Sequence, residues 1–109
     1  AKMLETATAA IAVYSDSDVT DTFIEDSSLV MGWMHLMASD LGLGSCWLQL
    51  RLRPSNEEGV SAEEFVNRRL GAPDNQKVEA LLVMGHIDEA PTAHELPELP
   101  CDKVHAERW

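Results

Sequence analysis

The sequence predicts an α+β fold in which the elements follow the order β-α-β-α-β and end in an extended C-terminal arm. Three observations support this prediction: short apolar runs of strand length, two longer segments with helix-capping residues, and a Pro-rich final segment without periodicity. The length of 109 residues fits one small domain. We therefore expect residues 1–109 to form a single domain, with residues 88–109 as its arm.

The first strand and the first helix are predicted from an apolar run that is followed by capping residues. Residues 8–16 are apolar, partly β-branched and end at a Ser/Asp cluster, which is typical of a buried strand. Asp18 or Thr20 can cap a helix over residues 20–41, which contains no proline. Apolar residues cover more than one side of this helix, so we expect a second subunit or a further segment to bury it.

The segment GLGSCWLQLRLR, residues 42–53, predicts a helix end followed by a strand. Gly42 suits the left-handed position just past a helix C-terminus. A dinucleotide-binding motif would instead follow a strand, open a helix and contain a third glycine where this chain has Trp47. Alternation over residues 45–53 predicts two faces, one with Cys46, Leu48, Leu50 and Leu52 and the other with Trp47, Gln49, Arg51 and Arg53.

The second half of the chain predicts one more helix and one more strand. Ser61 and Glu64 can form a capping box for a helix that runs to Leu70, and Gly71 is suited to end it. Residues 77–87 are predicted as the third strand. The arm, residues 88–109, contains three prolines and needs a surface to lie on.

The composition excludes several classes of function. With 8 basic and 19 acidic residues the net charge is −11, which argues against a nucleic-acid partner. We expect no membrane association, because no apolar run is long enough to span a bilayer and no signal peptide is evident. The two cysteines form no CxxC or Cys/His spacing, so we expect no disulfide framework and a cytoplasmic location.

One face of the predicted strand over residues 45–53 is the candidate ligand site. Trp47 can stack on a planar ring, Gln49 can form a hydrogen bond, and the two following arginines supply positive charge, so the face suits a planar anion. The alternative is a solvated face whose arginines pair with carboxylates. We expect no metal site, because the histidines share no ligand spacing, and we identify no catalytic acid or base.

Four segments resemble the C-terminal half of the FMN-dependent nitroreductase family: FIEDSSLVMGWMHLMASDLGLGSCWLQLRLR, SAEEFVNRRLGAP, VEALLVMGHIDEAP and LPCDKVHAERW. They occur in the family's order and cover nearly the whole chain. The helix that runs into GLGSCW is the specific feature, and KVH-x-ER-aromatic supports it. The resemblance implies a nitroreductase-like homodimer with FMN at the subunit interface, the long helix in the dimer core and the arm around the partner.

The function implied by this resemblance is that of a flavin oxidoreductase. FMN would take hydride from NAD(P)H and pass electrons to nitroaromatics, quinones or similar small molecules by a ping-pong route. The resemblance makes Trp47, Leu48 and Gln49 flavin neighbours, with a backbone amide near the reactive N5 edge. It makes Arg51 and Arg53 candidates for the phosphate or substrate side.

The sequence also departs from the family pattern. It contains neither the Arg-Arg-Ser-x-Arg phosphate segment nor the Pro-Ser-x-x-x-Gln-Pro-Trp segment, and Gly32-Trp33 stands where Gln-Asn is common. Two interpretations stay open: a fragment of a longer enzyme, or a truncated, non-catalytic dimeric relative without flavin. In either case we expect the 109-residue chain alone to bind FMN weakly or not at all.

Overall fold

The computed structural model of the protein describes residues 2–108. Its elements are α1 (Met3–Thr6), β1 (Ala9–Asp16), α2 (Phe23–Asp40), β2 (Gly44–Gln49), α3 (Ala62–Leu70), β3 (Gln76–Gly85) and 3₁₀ turns at Leu96–Glu98 and Cys101–Lys103. The predicted α+β class and the order β-α-β-α-β are confirmed. The sequence did not predict α1, because a single helical turn is too short to show a periodic pattern.

The strands form one antiparallel sheet in the order β1-β3-β2. The central strand β3 is buried over residues 78–83, as expected for a strand that pairs on both sides. β1 lies at an edge and only Val13 in it is buried, so the prediction of a buried first strand is wrong. β2 lies at the other edge, where alternate backbone groups have no sheet partner in the described part of the chain.

The two longer helices cover opposite faces of the sheet. Under α2 lies a cluster of Val13, Met31, Ala80 and Leu82. On the other face, α3 packs against a cluster of Leu50, Val78, Leu81 and Val83. The core is therefore divided by the sheet, and both faces of β2 are covered by side chains.

A β-bulge in β3 lies at the end of the sheet near the candidate site. Val13 of β1 pairs with Ala80 of β3, and the next residue, Tyr14, pairs with Val78. Glu79 is therefore the extra, unpaired residue of the bulge. The bulge moves Val78 to the face opposite Ala80. β2 pairs with β3 only as far as Ala80, so regular pairing on both sides of β3 stops at the bulge.

α2 begins later than the sequence predicts and ends as predicted. Its first residue is Phe23, and neither Asp18 nor Thr20 is its N-cap, because the preceding segment forms its own side-chain turns, such as Asp18 N–H to Asp16 Oδ1 at 2.9 Å. The end is a Schellman motif at Gly42, whose φ is 72°. The helix is thus fixed firmly where it leads into β2.

The arm extends away from the sheet. Residues 86–108 are exposed throughout, and the Cα radius of gyration of 16.8 Å exceeds the about 13 Å of a compact domain of this length. Its large apolar side chains Leu96, Leu99 and Val104 are all exposed. The expectation that the arm lies on another surface stays a prediction.

Candidate functional site

The predicted site residues lie on β2 and on the turn that follows it. Trp47 packs against the cluster under α2, and Leu48 packs against the cluster on the α3 face. Successive side chains point to opposite faces of a strand, so these two neighbours cannot both face one ligand with their side chains. The Trp47 face was predicted to meet a ligand or solvent; the structure corrects this, because α2 covers that face.

β2 is shorter than predicted, because the chain turns after Gln49. The Arg53 N–H donates to the Leu50 carbonyl at 3.0 Å, which closes a four-residue reverse turn. Leu50 is buried at 5% exposure, whereas Leu52 is 76% exposed. The prediction that alternation continues through residues 50–53 is therefore wrong: the Leu-Arg repeat there belongs to a turn, and Arg51 and Arg53 do not extend the Trp47 face of a strand.

A chain of hydrogen bonds links the strand to this turn. Trp47 Nε1–H donates to Gln49 Oε1 at 2.7 Å, and Gln49 Nε2–H donates to the Arg51 carbonyl at 3.1 Å. An indole N–H can only donate and a carbonyl can only accept, so both ends assign the same orientation to the amide. The side chains of Trp47 and Gln49 thus hold the turn from the strand side.

A cavity of about 270 Å³ lies on the α3 face beside this turn. Its wall from β2 and the turn contains Leu48, Gln49, Leu50, Arg53 and Pro54, and the rest is formed by Leu4, Ser55, Asn56, Ala62, Phe65, Val66 and Leu81. The structure thus brings together three predicted site residues, Leu48, Gln49 and Arg53. Trp47 and Arg51 do not line this cavity.

The arginines of the turn differ from those of α3 in their partners. In α3, Arg68 lies 3.0 Å from Glu57 and 3.7 Å from Glu64, and Arg69 lies over the ring of Phe65 at 5.3 Å. Within residues 2–108 no carboxylate lies within ion-pair distance of Arg51 or Arg53. The charge of these two groups is available to an anion, and the alternative in which they pair with carboxylates is not what the structure shows.

Sequence reasoning missed the contribution of α3 to this site. Phe65 and Val66 line the cavity, and Glu63 Oε2 accepts a hydrogen bond from the Leu52 N–H at 3.2 Å. The helical spacing from Ala62 to Phe65 and Val66 indicates an apolar stripe and could have drawn attention to this face. No sequence pattern reveals the bond from Leu52 to Glu63, since it depends on how the turn approaches the helix.

Other polar groups fix the frame around the site or lie apart from it. His35 Nδ1 and Ser45 Oγ are 2.8 Å apart and join α2 to the start of β2. The Tyr14 hydroxyl is buried without a hydrogen-bond partner in the described structure, and burial raises its pKa.

Among residues 2–108, no three His, Cys, Asp or Glu side chains are grouped so that they could hold a metal ion. No helix in the same residues is long and apolar enough to cross a membrane.

A comparison with protein families shows which family this fold represents. Residues 1–86 match the model of the nitroreductase family, which covers most of the chain. The chain belongs to the nitroreductase family. This confirms the resemblance seen in the helix, the GLGSCW segment and the third strand.

Individual nitroreductase relatives agree with this assignment. An Archaeoglobus fulgidus protein provisionally named NADH dehydrogenase/NAD(P)H nitroreductase is 30% identical over 113 residues, which cover 99% of this chain and 62% of that protein. An FMN-dependent nitroreductase from Clostridium difficile R20291 superimposes with a TM-score of 0.91 at 33% identity, over 97% of this chain and 61% of that one. A crystal structure from Parabacteroides distasonis, at 22% identity and a TM-score of 0.84, supports the fold.

The nitroreductase fold is therefore shown, and the chain matches only part of each relative. It spans 62% of the Archaeoglobus protein and 61% of the Clostridium chain. The activity, substrates and partners of the whole protein are accordingly matters of proposal.

Proposed function

We propose that this chain forms one wall of an FMN site in an NAD(P)H-dependent oxidoreductase of the nitroreductase type. The observation that carries the proposal is the cavity beside β2, where Leu48, Gln49 and Arg53 meet. Membership of the family and the 33% identity to an FMN-dependent nitroreductase support it. The residue roles implied by the resemblance remain part of this proposal.

The donor set of the cavity fits part of a flavin. Leucine, valine and phenylalanine side chains suit a planar ring, and Asn56 supplies a polar side chain, whereas the Gln49 amide and the Ser55 hydroxyl bond within the chain. Arg53 is exposed and has no ion-pair partner within residues 2–108, so it suits the phosphate or another anionic group. A volume of about 270 Å³ is below the roughly 300–1,000 Å³ typical of ligand pockets, so the proposal has a further segment or subunit supply the rest of the site.

The residues of this chain would bind and orient the cofactor. When bound, FMN supplies the hydride and electron transfer between NAD(P)H and the acceptor. The outer edge of β2 offers unpaired backbone N–H groups for the flavin rim, and Leu48 offers apolar contact. Trp47 would act mainly through packing and through its hydrogen bond to Gln49, while Arg51 and Arg53 would attract the anionic part of the ligand.

A homodimer is the second part of the proposal. α2 exposes the apolar side chains of Leu29, Val30, Trp33, Leu36 and Met37. A contiguous apolar face of this kind usually marks an interaction surface. We infer that α2 packs against a second copy and that the arm of each subunit lies on its partner.

The acceptor and the cellular location are proposed in general terms. Nitroaromatics, quinones and similar small molecules are the proposed acceptors, reduced by a ping-pong route with NADH or NADPH as donor. Both cysteines are free, with Cys46 half-buried and Cys101 exposed, which favours the reducing cytoplasm. The alternative function is a truncated, non-catalytic dimeric relative without bound flavin, and the flavin-reduction experiment separates it from the oxidoreductase.

Reduction of bound flavin tests the proposal. Protein loaded with FMN is mixed anaerobically with NADH or NADPH, and the visible flavin absorbance is recorded. The proposed function predicts loss of that absorbance and its return on addition of a nitroaromatic or a quinone. Flavin that binds but is reduced by neither donor would contradict the oxidoreductase and favour the non-catalytic relative.

A further inference from the structure

The turn that follows β2 has an unusual residue at its third position. Its four residues run from Leu50 to Arg53, and within residues 2–108 only Leu52 and Glu107 among non-glycine residues have a positive φ. With φ at 59° for Leu52 and a negative φ for Arg51, the turn is of type II. Type II turns favour glycine at this position, because a side chain there is strained.

The peptide group between Arg51 and Leu52 is held at both of its polar atoms. Its carbonyl accepts from Gln49 Nε2–H at 3.1 Å, and its N–H donates to Glu63 Oε2 at 3.2 Å. Type I and type II turns differ chiefly in the direction of this central peptide. These two hydrogen bonds therefore favour the strained form over the form that an unrestrained leucine would adopt.

Neighbouring bonds make this restraint part of the site. Trp47 fixes the Gln49 amide from the strand side at 2.7 Å. On the helix side, the Ala62 N–H donates to the Arg53 carbonyl at 2.8 Å, so the first turn of α3 holds the end of the reverse turn. Rotation of the Arg51–Leu52 peptide would break both of its bonds and would redirect the chain at the two arginines.

We propose that Gln49 and Glu63 are positioning residues that hold the Arg51–Leu52 peptide in its type II orientation, and thereby keep Arg53 beside the cavity, where it can meet the anionic part of a ligand. The identity of that ligand as FMN rests on the proposed function; the restraint of the turn does not. Gln49 thus acts through its side chain on the turn. Glu63 lies outside the cavity lining and acts only through Leu52.

The test compares Glu63→Ala with Glu64→Ala and Glu63→Gln. Glu64 is the matched control: it is also a first-turn carboxylate of α3, but its side chain does not bond to Leu52. Glu63→Gln keeps an acceptor oxygen. In each variant, NMR measures the cross-relaxation between Arg51 Hα and the Leu52 amide proton, which is strong in type II turns and weak in type I turns. FMN affinity is measured in parallel.

The inference predicts that Glu63→Ala weakens the type II signal and lowers FMN affinity roughly three- to tenfold, the usual effect of one hydrogen bond. Glu63→Gln and Glu64→Ala should keep the signal and affinity close to those of the wild type. In a Leu52→Gly background, where the positive φ carries no strain, Glu63→Ala should cost less affinity than in the wild type.

The results separate this inference from the proposed function. An unchanged type II signal in Glu63→Ala, or equal losses of affinity in Glu63→Ala and Glu64→Ala, would overturn the positioning role. If this chain binds no measurable FMN, the role toward that ligand fails for the isolated chain. The NMR signal would still show whether Glu63 restrains the turn.

Discussion

At the scale of single residues, Gln49 is proposed to have two separate roles. Its side-chain amide joins Trp47 to the Arg51 carbonyl, with hydrogen bonds of 2.7 and 3.1 Å. Its backbone belongs to an edge strand beside the cavity. Substitutions that affect the side chain and the backbone differently can therefore separate the positioning of the turn from a main-chain contact with the flavin.

Gln49→Pro and Gln49→Ala provide this separation. Proline removes the backbone N–H and should abolish FMN binding, whereas alanine removes only the side-chain bonds and should weaken binding roughly three- to tenfold. Flavin fluorescence quenching measures the affinities, and circular dichroism checks that both variants are folded. Equal losses in the two folded variants would contradict a main-chain contact.

Tyr14 makes stability sensitive to alkaline pH. Burial raises the pKa of its hydroxyl above the ordinary value of about 10, so the folded state holds the proton more tightly than the unfolded state. At neutral pH both states hold the proton and Tyr14 adds no pH dependence; as pH rises from about 10 through the higher pKa of the folded state, ionisation favours the unfolded state and the unfolding free energy falls. Above pH about 10, we expect the unfolding free energy of Tyr14→Phe to fall less steeply with pH than that of the wild type.

The same substitution should not destabilise the protein at neutral pH, because the hydroxyl has no hydrogen-bond partner in the described structure. Removing such a group is expected to stabilise the fold by about 1 kcal/mol. Chemical denaturation of wild type and Tyr14→Phe at neutral and alkaline pH measures both effects. A large loss of stability at neutral pH would show that the hydroxyl is bonded.

At the scale of elements, the end of α2 determines how the chain enters β2. The Leu43 N–H donates to the Ala38 carbonyl at 2.8 Å, and the Gly42 N–H donates to the Ser39 carbonyl at 3.0 Å. These are the two bonds of a Schellman motif, with the left-handed residue at Gly42. The site therefore depends on a glycine that lies outside it.

Gly42→Ala should destabilise the protein by about 1 kcal/mol, because a Cβ is unfavourable at a φ of 72°. There is space for the methyl group, since nothing lies within 4 Å of it, so the effect reports backbone conformation alone. Gly42→Asn is the matched comparison and should cost less, because asparagine adopts this conformation more readily. Thermal unfolding of both variants gives the measurement, and equal effects would argue against the conformational explanation.

The sequence predicted those elements whose ends are marked by capping residues. Ser61 accepts from the Glu64 N–H at 3.1 Å and Gly71 has a φ of 67°, as expected for the ends of α3. The sequence gives no turn signal at the end of β2, because the turn position that usually contains glycine is occupied by Leu52. The alternating Leu-Arg pattern therefore predicted a strand where tertiary bonds to α3 impose a turn.

The candidate site was predictable only in part for a related reason. The residue types at positions 47–53 indicated a planar anionic ligand, and the cavity brings Leu48, Gln49 and Arg53 together. The hydrogen bonds of Gln49 and the contribution of Phe65 arise from contacts between elements, which local patterns do not encode. The packing of Trp47 under α2 could not be predicted from alternation, which assigns residues to opposite faces without identifying what covers each face.

At the scale of the whole molecule, the exposed apolar face of α2 is the strongest indication of a partner. Leu36 is 71% exposed and Trp33 is 66% exposed, although both are large apolar residues. Burial of such side chains is a main source of association energy. The structure of one chain therefore leaves a surface that the proposed homodimer would cover.

Leu36→Arg tests this surface. The wild type is expected to sediment as a dimer at micromolar concentration and the variant as a folded monomer, because a buried unpaired charge opposes association. Leu70→Arg, on α3 and 59% exposed, is the control and should remain dimeric. A stable wild-type monomer, or a Leu36→Arg dimer, would contradict the proposed role of α2.

FMN titration of the ¹⁵N-labelled 109-residue chain, followed by amide chemical shifts, tests most directly whether flavin binds beside β2. We predict weak binding, because the cavity of about 270 Å³ is small for a flavin and the net charge of −11 repels an anion. The shift changes should concentrate at Leu48, Gln49 and Arg53, while Asp74, beyond the far end of α3, should not respond. Changes centred elsewhere, sub-micromolar affinity, or no change at millimolar FMN would contradict this prediction.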